Sequence, residues 1–435
     1  MMSPAGPDGE KRERRGPADP QGLIARAGAV LAEADVRRLL GARFTSQVSE
    51  GLFLAAVLNT LVFLPERQST LTGLALATAL TLLPFSILEP AVGVFVDRWR
   101  RQRILVVTAL LRACVALLVL SGIPVLVYAA TFVIFSANRI YQTTVTAVTP
   151  RVLGATDHAR LFDANTALAI AGTVALFGGT VAGGLLAERP GTPLLVALVC
   201  LFWIGAALVS ASLSGSLPPR GATGGAVRTQ LGTAIADLGD GFLRIGRTPA
   251  ALVPILTVAV GQFLQVLIIA VSLVALREGL EGGIVTFSGL VAAGGAGVLA
   301  GFVTVTGLGR RVPSSALIGV AFFLSALAVV PPVISLSAAT LSVGALLLGL
   351  SYAWARVPCD TLAQRAVPDR YRGRVFAAMD LGFNTSRVLG AVVAVPLVPL
   401  LGPQATVAVA AVVFLLWGVA APRWLRTRKV DEPAA

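Results

Sequence analysis

The sequence predicts an all-α membrane protein of twelve transmembrane helices, arranged as two parallel six-helix repeats around a central cavity. Three observations predict it. Of 435 residues, 56% are hydrophobic and 13% charged, and the mean hydropathy is +0.83, so polar residues are too few to cover a soluble protein of this size. The apolar residues come in repeated runs of about 20 or more, the length a helix needs to cross the hydrocarbon core. A polar tract at 215–248, opening "GSLPPRGATGG", divides those runs into six and six.

The elements follow in chain order. Residues 1–20 are polar, charged and rich in Pro and Gly, which predicts a disordered tail rather than a cleaved signal. Residues 21–42 read either as a short amphipathic helix on the membrane surface or as a linker. Spans are expected at 44–65, 71–96, 103–122, 124–148, 162–187 and 191–214, and after the central loop at 249–276, 283–308, 314–334, 336–357, 375–400 and 404–421. The resulting organisation is a tail at 1–42, a six-helix bundle at 43–214, a central loop at 215–248, a second bundle at 249–421 and a tail at 422–435.

Positive charge sets the orientation. With the N-terminus in the cytoplasm, 28 of the 35 Lys and Arg fall on the cytoplasmic side. Only Arg67, Arg189 and Arg277 fall opposite, and Arg112, Arg139, Arg356 and Arg387 lie within spans. Both termini are therefore expected inside a cell membrane crossed many times. The net charge of +13 reflects this asymmetry and not nucleic-acid binding. Lysine occurs only at Lys11 and Lys429, which excludes a Gly-rich phosphate loop ending in Lys, and the single histidine, His158, excludes an HExxH zinc site. Cys114, Cys200 and Cys359 stand alone in separate segments and read as small core residues. No metal, no cofactor and no enzymatic activity are expected.

The two sets of helices echo each other. "NRIYQTTVTAVTPRVLGATDHARLFDAN" (138–165) and "ARVPCDTLAQRAVPDRYRGRVFAAM" (355–379) each carry an Arg late in a helix, then a Pro, then a basic patch leading into a Phe-containing helix start. Arg139 and Arg356 are 217 residues apart, and Phe162 and Phe376 are 214 apart. Parallel repeats of this kind, with a cavity between them, form one known transporter architecture.

Residues 93–103, "GVFVDRWRRQR", place five charges at the end of an apolar run. Here the chain resembles the major facilitator superfamily, and the resemblance covers essentially 40–425. The family's motif between the second and third helices reads G-x-x-x-D-R-x-G-R-R. Gly93, Asp97, Arg98 and Arg101 match it, while Arg100 stands where the family has glycine. The flanking "LLPFSILEPAVGVFVDRWRRQRILVV" is most similar to the drug, macrolide and siderophore exporter branch. The second-half counterpart, "GFVTVTGLGRR" (301–311), keeps Gly301 and two arginines but has no aspartate. Glycines at these positions allow close approach of helices. Asp97 can face the positive end of the eleventh span, which starts near Arg374, gaining about 0.3–1 kcal/mol from the dipole. Arginines beside it can form charge-assisted pairs that hold a cytoplasmic gate shut. The alternative is that Arg98, Arg100, Arg101 and Arg103 are positive-inside anchors.

Further constellations carry the same resemblance. Arg139 and Gln142 match the family's R-x-x-Q-G motif, with Thr143 in place of glycine, and this implies a part in proton coupling or a structural ion pair. Gly179, Gly183 and Gly184 in "GGTVAGG" match the antiporter motif G-P-x-x-G-G, with Thr180 replacing the proline; ordinary small-residue packing is the alternative. Glu50, on the same face as Gln47, and Glu89, about 12 Å deeper than Asp97, are proton-site candidates or permanent partners of Arg112 or Arg139. Arg356 with Asp360, and Asp380 with Arg387, read as structural ion pairs.

The resemblance implies a secondary active transporter working by alternating access, exporting a small organic compound in exchange for protons, with the proton gradient in place of a cofactor. Its partners would be that substrate, protons and the lipid bilayer, and the protein would act as a monomer. Import or uniport of a metabolite, and a membrane scaffold that no longer transports, remain open at this level. The four intramembrane arginines balance Glu50, Glu89, Asp360 and Asp380 by count, so no substrate charge follows.

Overall fold

The computed structural model describes residues 33–63, 99–152, 158–187, 191–213, 227–278, 283–309, 311–367 and 369–427. Twelve α-helices occur among them, and no strand. The first five are α1 (Ala34–Leu58), α2 (Arg101–Ala116), α3 (Pro124–Val152), α4 (His158–Ala187) and α5 (Gly191–Ala211). A single helix, α6 (Val227–Arg247), follows in the central tract. The last six are α7 (Pro249–Glu278), α8 (Gly283–Leu308), α9 (Ser314–Ile334), α10 (Ala338–Ala366), α11 (Asp369–Leu401) and α12 (Pro403–Thr427). Ten of the twelve are long and apolar enough to cross a membrane, all but α1 and α6. Their outer faces expose large apolar side chains such as Leu201, Leu208, Val303, Leu327 and Leu416, as lipid-facing helices do.

Four expectations change. The central tract is not all loop: α6 is amphipathic, burying Leu238 and Ile245 on one side. The basic stretch expected as a loop at 358–374 is largely helical, because α10 runs through Pro358 to Ala366 and α11 begins at Asp369. A proline is tolerated there because neighbouring groups in a membrane bundle re-satisfy the freed carbonyl. Residues 34–42 are the first turns of α1 rather than a separate surface helix, while 21–32 lie outside the described residues. Cys114 is exposed, not part of the core, whereas Cys359 is buried and Cys200 half-buried. The second expected span, 71–96, also lies outside the described residues.

Turns and caps place the helix ends. Gly402, at φ 82°, lets the chain reverse between α11 and α12 in a conformation that side chains disfavour. Ser337 and Thr340 form a reciprocal capping box at the start of α10. In the first five helices, α1 packs on α4 and α5, and α2 on α3 and α5. In the last six, α7 packs on α11 and α12, and α9 on α10 and α12.

Close approach at these contacts needs glycine. A Cβ at Gly51 would strike the Leu176 carbonyl, and one at Gly179 would strike the Val48 carbonyl, so α1 and α4 touch backbone to backbone. One apolar cluster joins the two sets of helices, gathering Leu58 and Leu61 after α1 with Leu276, Phe287 and Leu341 of α7, α8 and α10. At the other end, two separate clusters form, around Leu39, Leu105 and Val148 and around Ile255, Val367 and Val375.

Candidate functional site

Two groups of charged and amide side chains sit inside the bundle. The first is built on α1, α2 and α3. Gln47 and Glu50, one turn apart, share a face of α1 and are each 7% exposed. The Asn138 side-chain amide bridges Glu50 to Arg112: Nδ2 donates to Glu50 Oε1 at 2.9 Å, and Oδ1 accepts from Arg112 Nη1 at 3.2 Å. Arg112 is fully buried, donates from Nε to the Thr108 carbonyl at 3.1 Å, and lies 4.6 Å and 5.2 Å from the ring centroids of Tyr141 and Trp203. Such stacking suits a weakly hydrated guanidinium. Arg43 is also within electrostatic reach of Glu50, so one carboxylate serves two arginines. Glu50 Oε2 and Arg112 Nη2 are buried without hydrogen-bond partners. Beside this group, Gln142 Nε2 donates to Gln47 Oε1 at 2.7 Å.

The second group lies on α10 and α11. Arg356 Nε meets Asp360 Oδ2 at 2.8 Å, and its Nη2 is 3.9 Å from Asp380 Oδ1. This group is wetter, with the Arg356, Asp360 and Asp380 side chains 17%, 29% and 41% exposed. Asp380 is also within electrostatic reach of Arg139 on α3, which links the two sets of helices. The expected Asp380–Arg387 pair is not formed. Seven residues along one helix separate the two by about 10.5 Å of rise, whereas Arg356 reaches Asp380 from the neighbouring helix. Arg387 instead lies over Phe383, 5.8 Å from its ring centroid, with Tyr352 in electrostatic reach and its Nε buried without an acceptor. A cleft opens between α7, α9, α10 and α12, lined in part by Gln262, Gln265, Ser325, Ser351, Tyr352 and Arg356.

The remaining sequence candidates divide into three kinds. Gly93, Asp97, Arg98 and Glu89 lie outside the described residues. Arg101, at the start of α2, is 3% exposed and donates from Nη1 to the Ala147 carbonyl of α3 at 3.1 Å. The glycines of α4 serve two neighbours: Gly179 and Gly183 receive α1, and a Cβ at Gly184 would strike Ser288 of α8. Gly301 plays the same part between α8 and α10, against Leu350 and Ala353.

Sequence reasoning missed Asn138 and α6. Asn138 carried the same signal as Gln142, a side-chain amide that is costly to bury within an apolar helix, but its partners on α1 and α2 are not named by its own segment. For α6 a signal exists: Ile235, Leu238, Phe242 and Ile245 recur at helical spacing. The helix docks on the start of α11 through Arg374, whose Nε meets Asp237 at 2.9 Å and whose Nη1 meets Asp240 at 3.0 Å. Arg244 adds a 2.9 Å bond to Asp240 and stacks 3.3 Å from the Tyr371 centroid. Hydrogen bonds from Arg244 and then Arg374 hold the Asp240 carboxyl below its ordinary value.

Comparison with known proteins gives partial matches to one family. Residues 308–435 match the family model described as Major Facilitator Superfamily. A stretch of 72 residues is 42% identical to an uncharacterized MFS-type transporter of Mycobacterium bovis, and equally to one of Mycobacterium tuberculosis. That stretch covers 17% of this chain and 16% of each relative's length. The fold is similar to that of the nucleoside transporter NupG, with TM-score 0.69 and 11% identity over 90% of this chain and 99% of the other. It is similar also to a POT family transporter in complex with 5-aminolevulinic acid, with TM-score 0.70 and 11% identity over 91% and 96% of the two chains. At that identity the likeness is one of fold. Together these findings support the major facilitator superfamily and a multi-pass membrane protein, and the proteins matched are transporters rather than enzymes.

Proposed function

We propose that this chain is a secondary active transporter of the major facilitator type, in which two six-helix halves alternate access to a shared cavity. In this reading it exports a small organic compound, drug-like or siderophore-like, in exchange for protons. It acts as a monomer with both termini in the cytoplasm, and the proton gradient takes the place of a cofactor. The halves are supported by the helix pairings, since the contacts of span one with four, five and six, of span three with four and six, and of span five with six all recur six spans later. Alternating access is supported by the apolar cluster around Leu61, Leu276, Phe287 and Leu341, which joins the halves at one end only among the described residues.

The observation that carries proton coupling is the Glu50 carboxylate. It is buried on α1 with Oε1 on Asn138 and Oε2 without a partner, and two arginines stand within its field. An uncompensated buried carboxylate oxygen is costly, and a proton on Oε2 relieves that cost. Losing the charge leaves Arg43 and Arg112 without their counter-ion and shifts the balance between the two access states. Arg139 beside Asp380 would report the same balance across the halves. Arg101, pinned to the Ala147 carbonyl, would anchor the gate residues Gly93, Asp97 and Arg98 at the cytoplasmic side.

The test uses an efflux-deficient bacterium carrying wild type or Glu50→Gln at matched membrane levels, with a panel of antibiotics and dyes. Wild type is expected to lower retention, and both the substitution and a protonophore to restore it. Accumulation in place of depletion would make the protein an importer. Export that survives both Glu50→Gln and the protonophore would rule out coupling through Glu50.

A further inference from the structure

Four span arginines face the acids of the bundle, and the structure distributes the acids unevenly among them. Asp360 and Asp380 both stand on Arg356, with Asp380 also in reach of Arg139. Glu50 is bridged to Arg112. Arg387 receives no acid among the described residues. Among the described residues, the one titratable group in its electrostatic reach is Tyr352, and its Nε lies buried without an acceptor. It stands near the middle of the span Arg374–Leu401. A guanidinium at that depth is expensive to hold unpaired, and membrane proteins keep such cations where they meet a ligand or an ion path.

The surroundings say what the ligand would bring. The Phe383 ring centroid lies 5.8 Å from the Arg387 guanidinium carbon and 4.9 Å from that of Arg356, so both cations meet one aromatic ring. Tyr352 lines the cleft and lies within electrostatic reach of Arg387, which is how the cation's field extends to the cleft. Within the cleft Gln262 and Gln265 offer amides, while Phe322 and Phe414 supply an apolar wall. These groups suit a molecule with a carboxylate at one end and an apolar body at the other. The planar fork of Arg387 matches the two oxygens of a carboxylate, and among the described residues no acid competes for it.

Resting on the transport reading above, we propose that Arg387 and Tyr352 form an anion subsite that binds the carboxylate of the transported compound, whose apolar body lies in the cleft beside Gln262 and Gln265. The substrate class is thus an amphipathic carboxylic acid, ionised at neutral pH. Arg356 is outside the subsite because Asp360 and Asp380 already neutralise it.

Two measurements on the purified, full-length protein in detergent test this. In the first, thermal unfolding without ligand compares wild type, Arg387→Met and Arg356→Met. Arg387→Met is expected to hold or raise the midpoint, since it removes an uncompensated charge, and Arg356→Met to lower it, since two acids lose their partner. A drop for Arg387→Met as large as for Arg356→Met makes Arg387 structural and overturns the proposal. In the second, 1-naphthoate, salicylate and 4-phenylbutyrate are each compared with the corresponding amide, binding being read by tryptophan fluorescence. The acids are expected to bind and the amides not, with Arg387→Met weakening the acids roughly 10- to 100-fold and Arg387→Lys less. Acids and amides behaving alike, or no acid binding, overturns it. Acids that bind through Arg387 in a protein that moves nothing across cell membranes leave the subsite standing and sink the transport reading. Transport of carboxylic acids untouched by Arg387→Met does the reverse.

Discussion

In the first half of the molecule Glu50 meets Arg112 only through the Asn138 amide, with all three side chains sealed from solvent, whereas in the second half Arg356 holds Asp360 directly at 2.8 Å and stays partly exposed. The residue types are the same and the physical situations differ. The direct pair is partly hydrated and leaves one buried oxygen, Asp360 Oδ1, unbonded, so it costs less to keep and contributes little. The bridged group leaves Oε2 of Glu50 and Nη2 of Arg112 without partners in a dry interior, which is the costlier arrangement. Position on a helix therefore does not decide which ion pair is poised to change. Its dryness and the bonds it lacks do.

The largest expected effect sets the two groups against each other. Arg112→Ala leaves Glu50 buried with a distant Arg43 and should destabilise the protein by roughly 3–5 kcal/mol, against about 1 kcal/mol for Arg356→Ala. Thermal unfolding of the two variants in one detergent would measure this. Equal losses would erase the distinction between the halves.

A second effect concerns the packing that brings α1 to its neighbours. Gly179→Val drives a side chain into the Val48 backbone and should cost roughly 1–3 kcal/mol or more, while Gly178→Val, with nothing within 4 Å, should be close to neutral. The amount of folded protein extracted from membranes separates them.

Asn138→Leu removes both bonds of the bridge and should cost about 1–3 kcal/mol, with the larger loss falling on transport because Glu50 Oε1 then joins Oε2 as an orphan. If that variant transports like wild type, the bridge is incidental.

The smallest effect lies outside the membrane. Arg374→Gln should loosen α6 without unfolding the spans, seen as faster hydrogen exchange at 227–247 alone. In the wild type, Asp240 has its carboxyl held below the ordinary value, so its contribution to docking is full at neutral pH and declines as pH falls below that ordinary value. It is fully lost only as pH falls through the lowered value. Loosening of α6 already near neutral pH would contradict this.

Much of the architecture was legible in the chain. Apolar runs located ten spans to within a few residues at most ends, because a helix exposed to lipid must be apolar over the membrane's thickness. Glu50, Arg112 and Gln142 were legible because charged and amide groups in a span are costly and need a reason. α6 was hidden by Pro and Gly at the start of its tract, although its apolar spacing is helical. The continuation of α10 past Pro358 was hidden by reading proline as a stop, which holds in water more strongly than in a bundle.

Hydropathy and charge, which are sums along a chain, sufficed for the class of protein, for ten of the twelve expected spans and for the faces on which its buried charges lie. The choice of partners needed the tertiary structure. Asp380 turns from Arg387 on its own helix to Arg356 on the next, Asn138 comes between Glu50 and Arg112, and Arg387 is left to Tyr352. Helical periodicity fixes direction around an axis, but distances between side chains on different helices are set by how closely the backbones pack. Here that packing rests on glycines such as Gly51 and Gly179, whose neighbours no single segment of sequence names.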